Sequence, residues 1–252
     1  MKPFLILQLR PETEAADDEF QAFLDKGELR ADQVQRIRLD QVSLPIDLDL
    51  CDYSGVIVGG GPGCVSDPPE KKSALEARIE SQVLKLMPQI TARDIPFLGC
   101  CYGIGILGVH LGGEVSKLRY SEPVGPTACH LTPDGRADPL LAGVPEAFTA
   151  FVGHKEAMQA LPEGCVNLVE GAACPLQMVR FARHVYATQF HPEADSAVFE
   201  LRIKVYRDHG YFDPADAADL VSECRRADVH APSRILRNFV SLYGDGVATG
   251  QA

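Results

Sequence analysis

The sequence predicts an α/β fold, a doubly wound and mostly parallel sheet with a small antiparallel β region and extra C-terminal helices. Three observations predict it. Short apolar segments at 4–9, 56–58 and 97–98 alternate with segments of helical period, an order that implies parallel strands joined by right-handed crossovers. A glycine-rich loop at 59–63 and a Gly-x-Cys-x-Gly turn at 99–103 both fall where strands end, the edge at which such sheets gather functional groups. Beyond Gly113 the pattern changes to short segments punctuated by turn residues, the mark of a mainly β stretch with antiparallel pairs.

Taken in order, 4–9 reads as a first buried strand, and 11–29 is acidic with a helical pattern through Phe20, Phe23 and Leu24. Residues 34–39 alternate apolar and charged side chains as a second strand, and 44–52 is a loop. Val56-Ile57-Val58 runs straight into Gly59-Gly60-Gly61-Pro62-Gly63. Asp67-Pro68-Pro69-Glu70 then reads as an N-cap, a proline at the first helical position and an acid in the first turn. Leu75, Ile79, Val83 and Leu86 follow at spacings of three and four, so the helix has one apolar face and about four turns. The next strand ends at Gly99, and its helix ends near 111–113. The β stretch comprises 114–118, 124–131, 148–154, 166–169, 176–181 and 185–190. Helices resume near Ala197, at 215–226 after Asp213-Pro214, and at 232–243, where Ile235, Leu236, Phe239 and Val240 keep helical spacing. Residues 1–243 form one domain, and 244–252 read as a disordered tail.

At 252 residues and 46% hydrophobic content the chain can bury one large core. A net charge of −11 without clustered Lys and Arg excludes a nucleic-acid or anionic-membrane surface. The first apolar run stops at Gln8 and Arg10, too soon for a signal peptide or membrane span, so a cytoplasmic address is expected. Eight cysteines with no CxxC pair are expected to be free thiols, with no metal and no cofactor. Gly103-Ile104-Gly105-Ile106-Leu107-Gly108 does fit GxGxxG, but three residues separate the strand end from its first glycine and it lies outside the first βαβ unit. The 59–63 loop lacks the lysine of a phosphate-binding loop.

The strand-to-helix turn at Cys101 is a place to expose a nucleophile, because glycines on both sides permit a strained central residue. The following helix directs its N-terminal amides at the sulfur and favours thiolate. Cys100 lacks the symmetric glycines and is expected to point back into the sheet. In Gln189-Phe190-His191-Pro192-Glu193, Pro192 keeps His191 extended, so residues 191 and 193 project to the same side. That is what a base and its orienting acid require. The amides of Tyr102 and Gly61 are placed to receive a developing oxyanion.

Gly-Gly-Pro after the third strand, Gly-x-Cys-x-Gly after the next and a distal Gln-Phe-His-Pro-Glu make the chain resemble a class I glutamine amidotransferase, most similar to the amidotransferase domain of GMP synthetases and their stand-alone relatives, over roughly 54–193. The resemblance implies a flavodoxin-like sheet, a Cys101–His191–Glu193 triad and an oxyanion hole from Gly61 and Tyr102. It implies glutaminase chemistry through a γ-glutamyl thioester without a cofactor, on L-glutamine or a γ-glutamyl compound. Ammonia would pass to a separate synthetase or acceptor subunit. Two departures mark the substrate side: Gly105 stands where relatives commonly carry Gln, and Gly153-His154-Lys155-Glu156 falls where they often have Ser-His-x-Asp. The substrate-binding set is therefore Gly60, Gly105, Gly153, His154 and Lys155. A γ-glutamyl hydrolase and a non-catalytic regulatory subunit of the same fold are the alternatives.

Overall fold

A computed structural model describes residues 2–244. Its centre is one nine-stranded sheet. The first half is wound as expected: β1 (Phe4–Gln8), α1 (Thr13–Gly27), β2 (Val34–Arg38), β3 (Gly55–Val58), α2 (Ala74–Ala92), β4 (Phe97–Cys100) and α3 (Tyr102–His110). β1 shows why these strands read as unbroken apolar runs. Phe4 and Ile6 enter a core on the face covered by α1, while Leu5 and Leu7 enter a second core on the face covered by α2 and α3.

The β stretch contributes β5 (Val115–Ser116), β6 (Glu122–Leu131), β7 (Ala147–His154), β8 (Ala157–Met158), β9 (Cys165–Gly171), β10 (Met178–Phe181) and β11 (Val185–Thr188), with a short α4 (Pro133–Ala137) after β6. It is not set apart from the parallel strands. The strand order is β2-β1-β3-β4-β11-β10-β9-β6-β7, parallel as far as β11 and antiparallel beyond it. β11 thus joins the halves, pairing Thr188 with Cys100 of β4. β5 and β8 pair separately, two residues each, too short to leave a period in the sequence.

The predicted helix start at Asp67 is wrong. Pro68 and Pro69 open a separate 3-10 turn, Lys72 is extended, and α2 begins after Ser73. There Ser73 accepts from the Glu76 amide while the Glu76 carboxylate accepts from the Ser73 amide, so two otherwise unpaired donors are satisfied together. Asp67 instead bonds Lys117 at 2.7 Å.

Three further helices close the chain: α5 (Ser196–Val205), α6 (Ala217–Arg226) and α7 (Ala231–Gly244). α7 packs its apolar stripe back on the sheet, with the Phe239 and Phe4 ring centroids 6.0 Å apart. α5 stacks Phe199 on Phe151 of β7 at 4.6 Å. Of the predicted tail, Gly244 closes α7 and the remainder lies outside the described residues. All eight cysteines are free, and no helix of the described residues is long and apolar enough to cross a membrane.

Candidate active site

Cys101 occupies the turn between β4 and α3 with φ 54° and ψ −88°, a conformation that costs an L-residue on the order of 1–3 kcal/mol. The turn holds it there: the Cys101 amide donates to the Thr188 carbonyl at 2.8 Å, tying the backbone at this residue to β11. Gly99 is required, since a Cβ on it would lie 2.9 Å from the Gly103 carbonyl carbon. The expected symmetry fails at Gly103 itself, where a Cβ meets the Val58 carbonyl at an ordinary 3.8 Å. Cys100 is fully buried in the core, as expected.

The expectation of a thiolate is also corrected. Burial pushes the Cys101 thiol up to about 12, with Arg10 pulling the other way and Glu193 adding to the rise. Magnitudes explain the outcome: a helix terminus contributes up to about 2 kcal/mol, whereas full burial shifts a group by as much as about 3–5 pK units, or roughly 4–7 kcal/mol. In the free protein the sulfur is a thiol.

Three residues beyond Thr188, His191 comes to the same sheet edge because β11 is the neighbour of β4. Its amide donates to the Phe151 carbonyl at 3.0 Å, and its ring meets Phe199 edge-on at 5.6 Å. His191 Nδ1 lies 2.9 Å from Glu193 Oε1, so residues 191 and 193 project together as the extended Pro192 junction predicts. Arg202 of α5 donates to the same oxygen at 2.8 Å. Burial would raise the Glu193 carboxyl, but His191 and Arg202 outweigh it and hold the group well below the usual carboxylate range. Burial lowers His191 despite Glu193, which leaves the imidazole neutral near pH 7. Cys101 and His191 line one cavity, and no hydrogen bond joins sulfur to ring in this state.

A second buried acid organises the glycine loop. Glu19 of α1, fully buried, accepts from Arg10 Nε at 2.8 Å, from Gln8 Nε2 at 3.0 Å and from the Gly60 amide at 3.2 Å. A Cβ on Gly59 would lie 2.5 Å from Glu19 Oε2, and one on Gly60 would lie 2.7 Å from both His191 Cε1 and Arg10 Nη2. Gly60 is thus a seat for the imidazole, and its amide is committed to Glu19. Among the described residues, the Gly61 and Tyr102 amides have no backbone partner, and both residues line the cavity at the sulfur.

That cavity, on the α3 side of Cys101, also holds Gly105, Gly153, His154 and Lys155 of the predicted substrate set. A Cβ on Gly105 would meet Val65 Cγ2 at 3.0 Å and Glu156 Oε1 at 3.2 Å, so a carboxylate occupies the space a longer side chain there would need. Glu156 is itself anchored, accepting from the Val65 and Ser66 amides at 2.8 Å each. Lys155 Nζ sits 4.1 Å from the centre of the Tyr211 ring. The His154 ring is committed elsewhere: Nδ1 faces the Glu156 carbonyl at 2.9 Å and Nε2 faces Glu122 Oε2 at 3.0 Å. Glu122, His154 and Cys174 are close enough to share an ion, but Thr127 and Gln177 donate to Glu122 as well, at 2.6 and 2.5 Å, so its carboxylate is already committed to side chains.

Sequence reasoning missed Arg10, Glu19, Arg202, Glu122 and Tyr211, and named Glu156 only as the last residue of the stretch 153–156. Two left a trace: Gln8 and Arg10 break an otherwise apolar strand, and Glu19 stands beside Phe20 on the face of α1 that packs inward.

The family model described as glutamine amidotransferase class-I matches residues 22–204. A GMP synthase [glutamine-hydrolyzing] of Lactobacillus delbrueckii subsp. bulgaricus is 31% identical over 150 residues, 59% of this chain and 26% of the relative. One from Thermomicrobium roseum is 33% identical over 140 residues, covering 55% and 23%. The chain therefore spans about a quarter of the length of the curated relatives it matches. Among solved structures, a glutamine amidotransferase from Thermotoga maritima superposes with a TM-score of 0.75 at 18% identity over 96% of this chain and 97% of that one. Another from Methylobacillus flagellatus gives 0.72 at 19% over 100% and 98%. These two likenesses establish the fold. The family match covers most of the chain and carries the stronger conclusion: this protein belongs to the class I glutamine amidotransferases, a family of cysteine-dependent amidohydrolases.

Proposed function

We propose that the chain hydrolyses the side-chain amide of a γ-glutamyl compound, with L-glutamine the reference substrate, through a thioester on Cys101. The observation that carries this reading is the shared cavity of Cys101 and His191, with the far nitrogen of His191 held 2.9 Å from an ionised Glu193. His191, neutral, takes the thiol proton as the sulfur attacks the amide carbon, and Glu193 stabilises the imidazolium that forms. A thiol raised to about 12 fits this order of events, since the proton leaves only with a substrate bound. The carbonyl oxygen becomes an oxyanion within reach of the Gly61 and Tyr102 amides, and each such donor is worth roughly 10²- to 10³-fold in rate. The imidazolium protonates the leaving nitrogen, and water then hydrolyses the thioester to the free γ-carboxylate.

Two relatives are named as glutamine-hydrolysing GMP synthases, which supports an ammonia-accepting synthetase as partner. A γ-glutamyl hydrolase is the second reading, favoured by the Glu156 carboxylate where a Gln side chain would lie. A cytoplasmic address fits both. Ammonia release from glutamine, measured for the wild type and for Cys101→Ala with and without added synthetase partner, tests the proposal. Release that persists in Cys101→Ala refutes it, as does the absence of Cys101-dependent hydrolysis of both glutamine and a γ-glutamyl peptide.

A further inference from the structure

The sulfur of Cys101 stands between two cavities. The first, on the α3 side, holds Gly105, Gly153, His154 and Lys155 and does not include His191. The second opens toward α5 and the segment after it, and His191 is part of its wall. Cys101, Gly61, Gly153 and Tyr211 border both. This division assigns the two ends of a substrate. The acyl carbon must sit at the sulfur with its oxygen toward the Gly61 and Tyr102 amides, whereas the leaving nitrogen must face the imidazole that protonates it. The acyl part therefore lies in the first cavity and the leaving group in the second.

Ammonia needs no cavity of its own. Yet the second has a lining of definite chemistry: Val124, Phe199, Ile203 and Phe212 supply apolar walls, and Arg10 and Arg202 lie among them. Both arginines are 5% exposed. Arg202 gives Nη2 to Glu193, while its Nε and Nη1 are buried without a hydrogen-bond partner. Arg10 gives Nε to Glu19 and Nη1 to Tyr206, so the donors without a partner are those of Arg202, in a wall whose two positive charges Glu19 and Glu193 balance. Leaving such donors unpaired costs about 1–3 kcal/mol each, more when charged, and an anionic ligand removes that cost.

We infer that the second cavity is a leaving-group site for an apolar α-amino acid, making the substrate a γ-glutamyl dipeptide whose C-terminal carboxylate is received by Arg202. The inference rests on the amidohydrolase reading and specifies its substrate. In such a dipeptide the carboxylate carbon is two bonds from the scissile nitrogen, and His191, Arg202, Phe199 and Phe212 line the same cavity. An amino acid held there with its nitrogen toward the imidazole has Arg202 for its carboxylate and Phe199 and Phe212 for its side chain. The reaction balances as one hydrolysis. The sulfur–carbon bond forms as the carbon–nitrogen bond breaks, the thiol proton passes through His191 to the departing amine, and water converts the thioester to glutamate.

The test is glutamate release by the purified full chain from L-glutamine, γ-L-glutamyl-L-phenylalanine and the C-terminal amide of that dipeptide. A kcat/KM for the dipeptide at least tenfold above that for glutamine, falling at least tenfold on amide capping, is the expected result. Val124→Phe, which intrudes on the second cavity alone, is expected to lower the dipeptide-to-glutamine ratio at least tenfold. Glutamine turned over as well as the dipeptide overturns the inference and leaves the amidohydrolase reading standing. Dipeptide and capped dipeptide turned over equally overturns the arginine assignment. No Cys101-dependent release from any of the three overturns both readings together.

Discussion

His191–Glu193 and His154–Glu122 are both buried imidazole–carboxylate pairs, at 2.9 and 3.0 Å, yet their rings are free to do different things. His191 gives one nitrogen to Glu193 and turns its other edge to the cavity that holds Cys101. His154 faces an oxygen on both sides, the Glu122 carboxylate and the Glu156 carbonyl, so neither ring nitrogen is left over. The carboxylates differ in the same way. Glu193 shares one oxygen between His191 and the charged Arg202, while Glu122 is closed in by the neutral Thr127 and Gln177. A base needs a nitrogen left over. The comparison teaches that a buried His–Glu pair is chemistry or scaffolding according to what faces the ring's second nitrogen.

The largest effects should separate the two pairs by kind. Glu193→Gln is expected to reduce kcat by about 10²- to 10⁴-fold, because the imidazolium loses its counter-charge, beyond the stability lost when the buried Arg202 loses its carboxylate. Glu122→Gln should leave kcat within about threefold and cost on the order of 3 kcal/mol in stability, because a buried network built on a carboxylate loses its charged acceptor. Turnover assays beside denaturant unfolding read both, and an equal loss of kcat in the two variants breaks the distinction.

Next in size is Gly60→Ala. A methyl placed 2.7 Å from His191 Cε1 must displace the ring, and about a 10²-fold loss of kcat/KM is expected. Gly103→Ala, with 3.8 Å of room, should stay within a few-fold. Similar losses in both would show that the imidazole is not seated on Gly60.

The smallest effects are in pH dependence. His191 is lowered by burial, so the acid limb of kcat/KM should lie below the ordinary imidazole value of 6.5. Glu122 is lowered too, as bonds from His154, Thr127 and Gln177 outweigh its burial. Its contribution to stability is therefore complete above the unfolded value of about 4.5 and lost as pH falls through the lower folded value, and Glu122→Gln should flatten that part of the acid unfolding profile. The raised thiol adds one more check: alkylation of Cys101 by iodoacetamide should still be accelerating at pH 9. A plateau at neutral pH would mean a thiolate at rest and would undo the order of proton transfer proposed here.

What could be read without coordinates was local. Glycine on both sides of Cys101, proline between His191 and Glu193, and apolar strands ending at glycine each constrain the backbone within a few residues, and a few residues of sequence display them. The alternation of strand and helix, with its short connections, sufficed for the parallel half of the sheet. The N-cap of α2 was misread because two prolines imitate a helix start that the chain abandons before Ser73.

The remainder depends on groups far apart in the chain. Arg10, Glu19, Arg202 and Glu193 form one buried charge cluster drawn from the end of β1, from α1, from α5 and from the loop before it. No spacing announces such a partnership, because each charge is tolerable inside the protein only once the others have arrived. The state of the sulfur follows the same division: the motif placed Cys101 at a helix start, and burial by the whole fold, the stronger force, kept its proton on. Sequence alone singled out the cysteine, histidine and glutamate proposed to react. Tertiary packing decided their charge, which histidine has a nitrogen to spare, and that β11 lies beside β4, bringing the sulfur and the imidazole to one edge.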